Sequence, residues 1–422
     1  MAAVTKAPRG TLDKLPSIAY KYRAVENIAL EIANLSGYRE IRTPVFEHTE
    51  LFRRSVGDTT DIVQKEMYTF DDKKGRSLTL KPEGTAPVAR AVIENGLLNE
   101  ALPLKLCYIT NCYRYEAPQS GRYREFSQFG AEVYGANTPL CDAELIALAF
   151  TLIERLQIPQ SCYKIEVNSI GCPECRKIYQ DALKKYYEQF KEELCHDCHT
   201  RLTNNPMRLL DCKVPTCAKF KNDAPLILEY NCDDCSDFFA TFKMALETLN
   251  VPYHVNPKIV RGLDYYCNTV FEFVCENGLV FGGGGRYNGL MKELGGADTP
   301  ASGFALGIER IVSVIEGYAT SSDVQSTQNV PEMYIAGIGE QSAMLALKLS
   351  HELREEYGIQ CLCDIVGRSV KAQMRFADKT GAKFSIVIGD DEIANNVATL
   401  KNMENKETLE VTLNASEISK NI

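Results

Sequence analysis

The stretch Arg261–Gly289, RGLDYYCNTVFEFVCENGLVFGGGGRYNG, is the part of the chain from which the rest is read. Val270, Phe271, Phe273 and Val274 are β-branched and aromatic, so this part is expected to be a strand. Glu276-Asn277-Gly278 is a turn signal that sends the chain back through Leu279-Val280-Phe281, which predicts a hairpin. Four glycines follow, Gly282 to Gly285. Glycine weakens a strand unless something must approach the backbone closely. A segment that opens on an arginine and a Tyr-Tyr pair and closes on a glycine floor has the form of a ligand site.

At 422 residues the chain is long enough for two or three domains, each with its own core. Hydrophobic content of 45% and charged content of 24% belong to an ordinary soluble protein. The N-terminal MAAVTKAPRG lacks the apolar centre of a signal peptide, and Leu145–Ile153 is too short to span a bilayer. A cytoplasmic protein without membrane contact is therefore expected. Its 16 cysteines suit that compartment if reduced or metal-bound, and Cys-x-x-Cys spacing favours metal over disulfides. The net charge of −9 does not suggest a nucleic-acid binder, yet phosphate contact needs only a local basic patch.

In chain order, Ile18, Tyr22, Val25, Ala29 and Ile32 recur at helical spacing over residues 17–36, with Gly37 as the stop. The extended piece Tyr38–Phe46 contains Pro44, so it should be an edge strand or end there. Short strands around the turn 71–75 deliver Glu83-Gly84-Thr85 to a helix starting near Pro87. Leu106–Tyr115 and Glu125–Tyr134 are strand-like, and the loop 117–124 between them is basic and expected to be mobile. A helix is expected from Asp142 to Leu156. From Ile170 to Asn256 the composition becomes cysteine-rich and charged, as in an insertion. Residues 317–331 have linker composition, with Thr320, Ser321, Ser322, Ser326 and Thr327. Beyond Pro331, strands at 333–338, 359–365 and 384–388 alternate with helices at 341–357 and 369–380, which argues a small α/β domain with parallel pairing.

Chemistry is concentrated in arginines. Arg114, Arg122, Arg124, Arg261 and Arg310 stay charged and fork onto phosphate oxygens. Converging on one pocket, they would hold a triphosphate and stabilise charge at phosphorus; taken singly, each is more simply a surface ion pair. The glycines at 282–285 lack the Lys-Ser/Thr of a phosphate-binding loop. Only five histidines occur, His48, His196, His199, His254 and His351, none in a nucleophile motif. An already ionised nucleophile, such as a carboxylate attacking phosphorus, would need no general base.

Tyr113-Arg114-Tyr115-Glu116 with Gly121–Phe126 resembles motif 2 of the class II aminoacyl-tRNA synthetases, Gly303–Arg310 resembles motif 3, and Gly37–Pro44 resembles motif 1, the dimer-forming element. Arg261–Tyr266 and Gly283–Tyr287 closely resemble the two signature peptides of the histidyl-tRNA synthetases, and the likeness runs from about residue 10 to the C-terminus. It implies a mixed α/β fold with an antiparallel-sheet catalytic domain at 1–320, interrupted by a helical, Cys-rich insertion at 170–256. A linker at 317–331 and an anticodon-binding α/β domain at 332–422 would follow. The implied activity is ligation of L-histidine to tRNA(His) through a histidyl-adenylate, by a homodimer using ATP with Mg2+.

The resemblance also implies roles. Glu83, Gly84, Thr85 and Gln128 would hold the amino end of histidine, and Glu132 and Tyr266, with Tyr265 beside them, the imidazole. Arg114 and Arg261 would grip the α-phosphate as the catalytic pair, and Arg122 and Arg310 the outer phosphates. Gly282–Gly285 would let the adenylate lie against the backbone. Three positions depart from the usual pattern: Ser127 stands where many relatives have histidine, Asn268 where arginine is common, and Asn288 where aspartate usually follows Arg-Tyr. The alternative is the non-catalytic relative that serves as regulatory subunit of ATP phosphoribosyltransferase, but that relative loses the catalytic arginines and the C-terminal domain.

Cys172-x-x-Cys175 and Cys195-x-x-Cys198, 19 residues apart, approximate a zinc spacing. Cys212, Cys217, Cys232 and Cys235 complete eight ligands, enough for one or two tetrahedral sites of a structural Zn2+, or else a set of reduced thiols. In the C-terminal domain Arg368, Lys371, Arg375 and Lys379 share one helix face, opposite Val370, Met374 and Ala377. That stripe is either a solvated face or, as the resemblance implies, a phosphate contact for tRNA.

Overall fold

The computed structural model describes residues 6–57, 60–118, 121–318 and 330–422. The chain divides into two compact units, Met1–Gln325 and Ser326–Ile422. The linker residues Thr320, Ser321, Ser322, Ser326 and Thr327, and Gln119 and Ser120 of the basic loop, lie outside the described residues.

The first unit is built on an eight-stranded sheet. In spatial order its strands are Arg39–Glu40, Leu104–Tyr113, Glu125–Tyr134, Ala301–Gly307, Val280–Arg286, Cys267–Cys275, Tyr163–Ser169 and His254–Val255. The central strands pair antiparallel, and only the two-residue edge strands pair in parallel. The extended piece before Pro44 is the edge strand Arg39–Glu40, and it stops short of the proline. Side chains alternate across a strand, so each long strand serves two layers. Phe129, Ala131, Val133, Phe271, Phe273 and Leu306 face one side, where the helices Pro16–Leu35, Pro139–Arg155, Asp233–Thr248 and Ile308–Tyr318 bury Ala29, Leu145, Leu152, Phe242 and Ile311 against them. The opposite side carries Leu104, Leu106, Tyr108, Tyr134 and Val270.

The hairpin predicted from the opening stretch is Cys267–Cys275 with Val280–Arg286, and the glycines belong to the second strand itself. It lies between two antiparallel neighbours at the sheet's centre. Cβ atoms on Gly283, Gly284 and Gly285 would meet the backbone oxygens of Phe271, Gly303 and Thr269 at 2.5, 2.1 and 2.4 Å. The glycines are the reason the strand fits there.

The cysteine-rich segment leaves the sheet after Ser169 and forms the helices Pro173–Glu188 and His196–Asn204 and several short turns. The helix Asp233–Thr248 then returns, and its Phe239, Phe242 and Leu246 belong to the main core.

The second unit is a five-stranded sheet in the order Cys361–Cys363, Met333–Gly337, Phe384–Ile388, Val397–Asn402 and Thr408–Thr412. The first three strands are parallel, and the last two add an antiparallel hairpin absent from the sequence reading. The helices Glu340–Tyr357 and Val370–Thr380 end on Gly358 and Gly381, whose φ values of +67° and +75° suit glycine at a helix stop. Buried Gln373 accepts from the Gly337 N–H (3.2 Å) and donates to the Gly337 and Arg368 carbonyls (3.0 and 2.8 Å), tying the second helix to the sheet.

Candidate active site

Strand alternation puts Gln128 and Glu132 on the side of the sheet away from the helices. Glu132 is fully buried. Its Oε1 accepts from the hydroxyls of Thr85 (2.8 Å) and Tyr108 (3.0 Å), and its Oε2 accepts from Tyr287. Burial pushes the carboxyl up to about 8, while the hydrogen bonds from Tyr287, Thr85 and Tyr108 work against that rise. Burial, then the Glu132 charge, holds the phenols of Tyr108 and Tyr287 well above their usual range, so both remain donors. Room for this cluster comes from glycine. A Cβ on Gly303 would lie 1.6 Å from Glu132 Oε2, and Cβ atoms on Gly84 and Gly130 would lie 2.3 and 2.2 Å from the Tyr108 ring.

Glu83 precedes the helix Thr85–Glu94 and caps it, accepting from the Thr85 and Ala86 N–H groups at 2.7 and 2.8 Å. Burial raises its pKa, and those two backbone donors oppose the rise. Tyr265 and Tyr266 precede the strand Cys267–Cys275 with ring centroids 4.7 Å apart, and Tyr265 meets Tyr287 edge-on at 5.4 Å. The Tyr266 carbonyl accepts from Arg176 Nη1 at 2.6 Å.

Beside this wall lies a cleft of 460 Å³, lined by Glu83, Thr85, Gln128, Tyr265 and Tyr266 and by the guanidinium groups of Arg114, Arg122, Arg261 and Arg310. Arg114 Nε donates to the Pro82 carbonyl at 2.8 Å, and Arg310 donates to the carbonyls of Gly121 and Val280. Two carboxylates share the cations. Glu116 lies 3.5 Å from Arg122 and 4.0 Å from Arg114, and Glu272 pairs with Arg261. Against the cost of burial, Glu272 and then the neighbouring tyrosines hold Arg261 above its usual range. Arg310 goes the other way. Burial, then the charge of Arg122, with smaller repulsion from Arg114 and Arg261, lowers its pKa to about 10. Arg122 Nε and Arg261 Nε are buried donors with no acceptor among the described residues. Orphan guanidinium donors, and an arginine destabilised by its arginine neighbours, are costly in a cleft without an anion.

The nine cleft residues expected from sequence thus line one surface, and two expected residues do not. Glu132 sits behind Thr85, and Gly84 makes space for Tyr108. Of the four glycines, Gly282 and Gly283 line the cleft; Gly284 faces Phe304. Tyr108, Tyr287, Glu272 and Arg176 were missed. Glu272 had a visible signal, since it is a lone charge between Phe271 and Phe273 and must face away from the core those two enter.

The eight cysteines form two quartets, Cys172/Cys175/Cys232/Cys235 and Cys195/Cys198/Cys212/Cys217, and within each all sulfurs lie within 4.8 Å of one another. The spacing had suggested joining the first two pairs. The structure instead pairs the first with the last, and the helix Pro173–Glu188, about 24 Å long at 1.5 Å per residue, leads the chain away from the first pair. On the second unit Lys371, Arg375 and Lys379 are exposed, whereas Arg368 precedes the helix, pairs with Asp364 at 2.7 Å and lies over Phe376.

A largely antiparallel sheet that presents a hydroxyl-ringed carboxylate next to convergent arginines is the scaffold of the class II aminoacyl-tRNA synthetases. Comparison with known proteins narrows the class. Residues 10–171 and 224–311 match the histidyl-tRNA synthetase family, and residues 332–420 match the anticodon binding domain. A histidine–tRNA ligase of Clostridium novyi is 50% identical over 409 residues, covering 97% of both chains. One from Caldanaerobacter subterraneus is 47% identical, covering 98% of this chain and 99% of its own. The apo histidyl-tRNA synthetase of S. aureus superposes with a TM-score of 0.82 at 37% identity, covering 99% of each chain. The chain belongs to the histidyl-tRNA synthetase family.

Proposed function

We propose that the protein activates L-histidine with ATP and transfers it to tRNA(His). Glu83, Thr85 and Gln128 receive the α-ammonium group; Tyr266 takes the imidazole, with Tyr265 beside it and Glu132 acting from behind through the Thr85 hydroxyl. Glu132 anchors the hydroxyls of Thr85, Tyr108 and Tyr287, which fixes the polar floor behind the imidazole. Buried groups of this kind reject apolar isosteres, which would leave them unpaired. ATP enters as its Mg2+ complex, with Arg114 and Arg261 on the α-phosphate and Arg122 and Arg310 on the outer phosphates. The histidine carboxylate attacks the α-phosphorus in line, a P–O bond forms, and the bond to pyrophosphate breaks. The nucleophile is already ionised, so the site contributes positioning and charge. The terminal ribose hydroxyl of tRNA then attacks the adenylate carbonyl and AMP leaves.

The observation that carries this reading is the convergence of guanidinium groups in the cleft, with Arg310 lowered by burial and its arginine neighbours and the Nε atoms of Arg122 and Arg261 without acceptors among the described residues. The test is ATP–pyrophosphate exchange over a panel of amino acids. Exchange with histidine alone is expected; none with histidine would overturn the reading.

The same reading divides the chain into a catalytic domain at 1–320 with its insertion at 170–256, whose last part (the helix Asp233–Thr248 and the strand His254–Val255) is built into the main core and sheet, a linker at 317–331 and an anticodon-binding domain at 332–422. Lys371, Arg375 and Lys379 contact tRNA phosphates, and Arg368, already paired, adds less. The exposed edge strand Arg39–Glu40 and the following residues to Pro44 support a homodimer, testable by light scattering. No helix among the described residues is long and apolar enough to cross a membrane, and all 16 cysteines are free, which supports a cytoplasmic location. The cysteine quartets hold structural zinc.

A further inference from the structure

The helix Pro173–Glu188 carries the insertion away from the sheet, and the helix Asp233–Thr248 brings the chain back to the main core. Both begin on a Cys-x-x-Cys turn, with Cys172 and Cys232 as the residues just before the first helical turn. The two turns grip each other reciprocally. The Cys172 N–H donates to Cys235 Sγ at 3.3 Å, and the Cys232 N–H donates to Cys175 Sγ at 3.1 Å. In the inner quartet the Cys195 N–H donates to Cys217 Sγ at 3.1 Å. Sulfur separations of 3.5 Å (Cys172 to Cys175) and 3.9 Å (Cys195 to Cys212) bracket the edge of about 3.8 Å that a zinc–sulfur distance of 2.3 Å gives in a tetrahedron. They are far from a disulfide bond. Backbone N–H groups and helix N-termini aimed at sulfur favour thiolates, which offsets the double negative charge of a four-thiolate zinc centre.

The outer quartet adjoins the wall of the amino-acid pocket. Gly171, with φ +66°, packs so closely that a Cβ there would be 2.6 Å from Cys175 Cβ. Its carbonyl accepts from the Asn268 N–H at 3.0 Å, and the Asn268 carbonyl accepts from the Ile170 N–H at 2.7 Å. Arg176, next to Cys175, holds the Tyr266 carbonyl. On the return side Asn231, next to Cys232, donates to Ser169 Oγ at 3.1 Å. A cavity of 520 Å³ has Cys172, Cys232 and Cys235 in its lining together with Tyr265 and Cys267. The inner quartet reaches this wall less directly, through Asp264: Asn205, just past the helix that carries Cys198, donates to its Oδ1 at 3.0 Å, and Arg208 lies 3.5 Å from it.

We propose that each quartet binds its own zinc ion and that the outer zinc, held by Cys172, Cys175, Cys232 and Cys235, is a positioning element for the Tyr265–Tyr266 wall, whereas the inner zinc folds the tip of the insertion. The metal sites stand on geometry alone. The coupling rests on the reading that this wall binds histidine. Each zinc displaces the thiol protons of its ligands to solvent, and no oxidant or reductant is involved.

The test uses the full chain. Elemental analysis should find two zinc ions per chain, and cobalt substitution should give the d–d bands of tetrahedral thiolate sites. C232S/C235S should lose one zinc and raise KM for histidine about tenfold while kcat and KM for ATP stay within about twofold. C195S/C198S should lose the other zinc with a several-fold smaller rise. If C232S/C235S fails to fold, stepwise chelation of the wild-type chain replaces it; KM for histidine should follow loss of one zinc and recover when zinc is returned. Fewer than one zinc per chain, or iron in its place, would overturn the sites. Equal rises for the two variants, or an unchanged KM after loss of the outer zinc, would overturn the coupling. Two zinc ions in a chain with no histidine-dependent exchange would support the sites and refute the function proposed above.

Discussion

The two units use positive charge in opposite ways. In the first, four arginines converge in a cleft where burial and mutual repulsion push Arg310 down to about 10, and two Nε donors lack acceptors among the described residues. In the second, Lys371, Arg375 and Lys379 stand exposed along a helix whose other side is fixed by Gln373 and Ala377. The cleft's charges are costly to keep, and that cost is returned only when an anion arrives. The helix stripe costs almost nothing, and water and salt screen what it does. Convergent, desolvated groups give chemistry; parallel, solvated groups give contact.

The contrast predicts a ranking of effects. Arg261→Ala should lower histidine-dependent pyrophosphate exchange by about a thousandfold while changing histidine binding little, since a buried donor aimed at developing charge is worth that much. Calorimetric histidine titration beside the exchange assay checks it; equal losses in both would break the comparison. Arg310→Met should raise KM for ATP by about a hundredfold, because that arginine gains most from an arriving anion. Arg375→Glu with Lys379→Glu should raise KM for tRNA by about tenfold and leave exchange alone. Going from about 0.1 to about 1 M salt should erase most of that tRNA effect and little of the Arg261 effect, as the screening length shrinks from about 10 to about 3 Å. Unchanged tRNA kinetics would remove the stripe from the mechanism.

The smallest effect concerns pH. The folded chain keeps the Glu132 proton up to about 8, whereas the ordinary carboxyl loses it near 4.5. Unfolding therefore releases this proton between those values, and the Glu132 contribution to stability falls as pH rises through the window. Glu132→Gln should flatten this part of the curve of melting temperature against pH.

Much of this was legible because it is local. Strand alternation, the turn at 276–278, the helix stops at Gly358 and Gly381, and the ordered arginine and tyrosine motifs are each carried by a few adjacent residues. What was not legible depends on distance. Nothing in the Cys-x-x-Cys spacing says that the first pair meets the last; that depends on where the outgoing and returning helices start, 60 residues apart in the chain. Tyr108 and Tyr287 look like core aromatics until the fold brings their hydroxyls to one carboxylate. Glu132 was expected in contact with ligand and sits one layer deeper, because Thr85 reaches in front of it. The hairpin Val397–Asn402 with Thr408–Thr412 is short and half exposed, with too little alternation to announce itself.

The glycine strand at the sheet's centre has a genetic consequence. At Gly283, Gly284 and Gly285 any side chain meets backbone oxygen at 2.1–2.5 Å, which cannot step aside; at Gly282 the closest backbone oxygen, of Ala305, is 3.1 Å away and the tightest contact is the end of the Leu306 side chain. A saturation library across residues 280–286 should therefore show three adjacent codons that accept no replacement, beside one at 282 where alanine is lost less completely. The boundary between them marks where the sheet stops yielding.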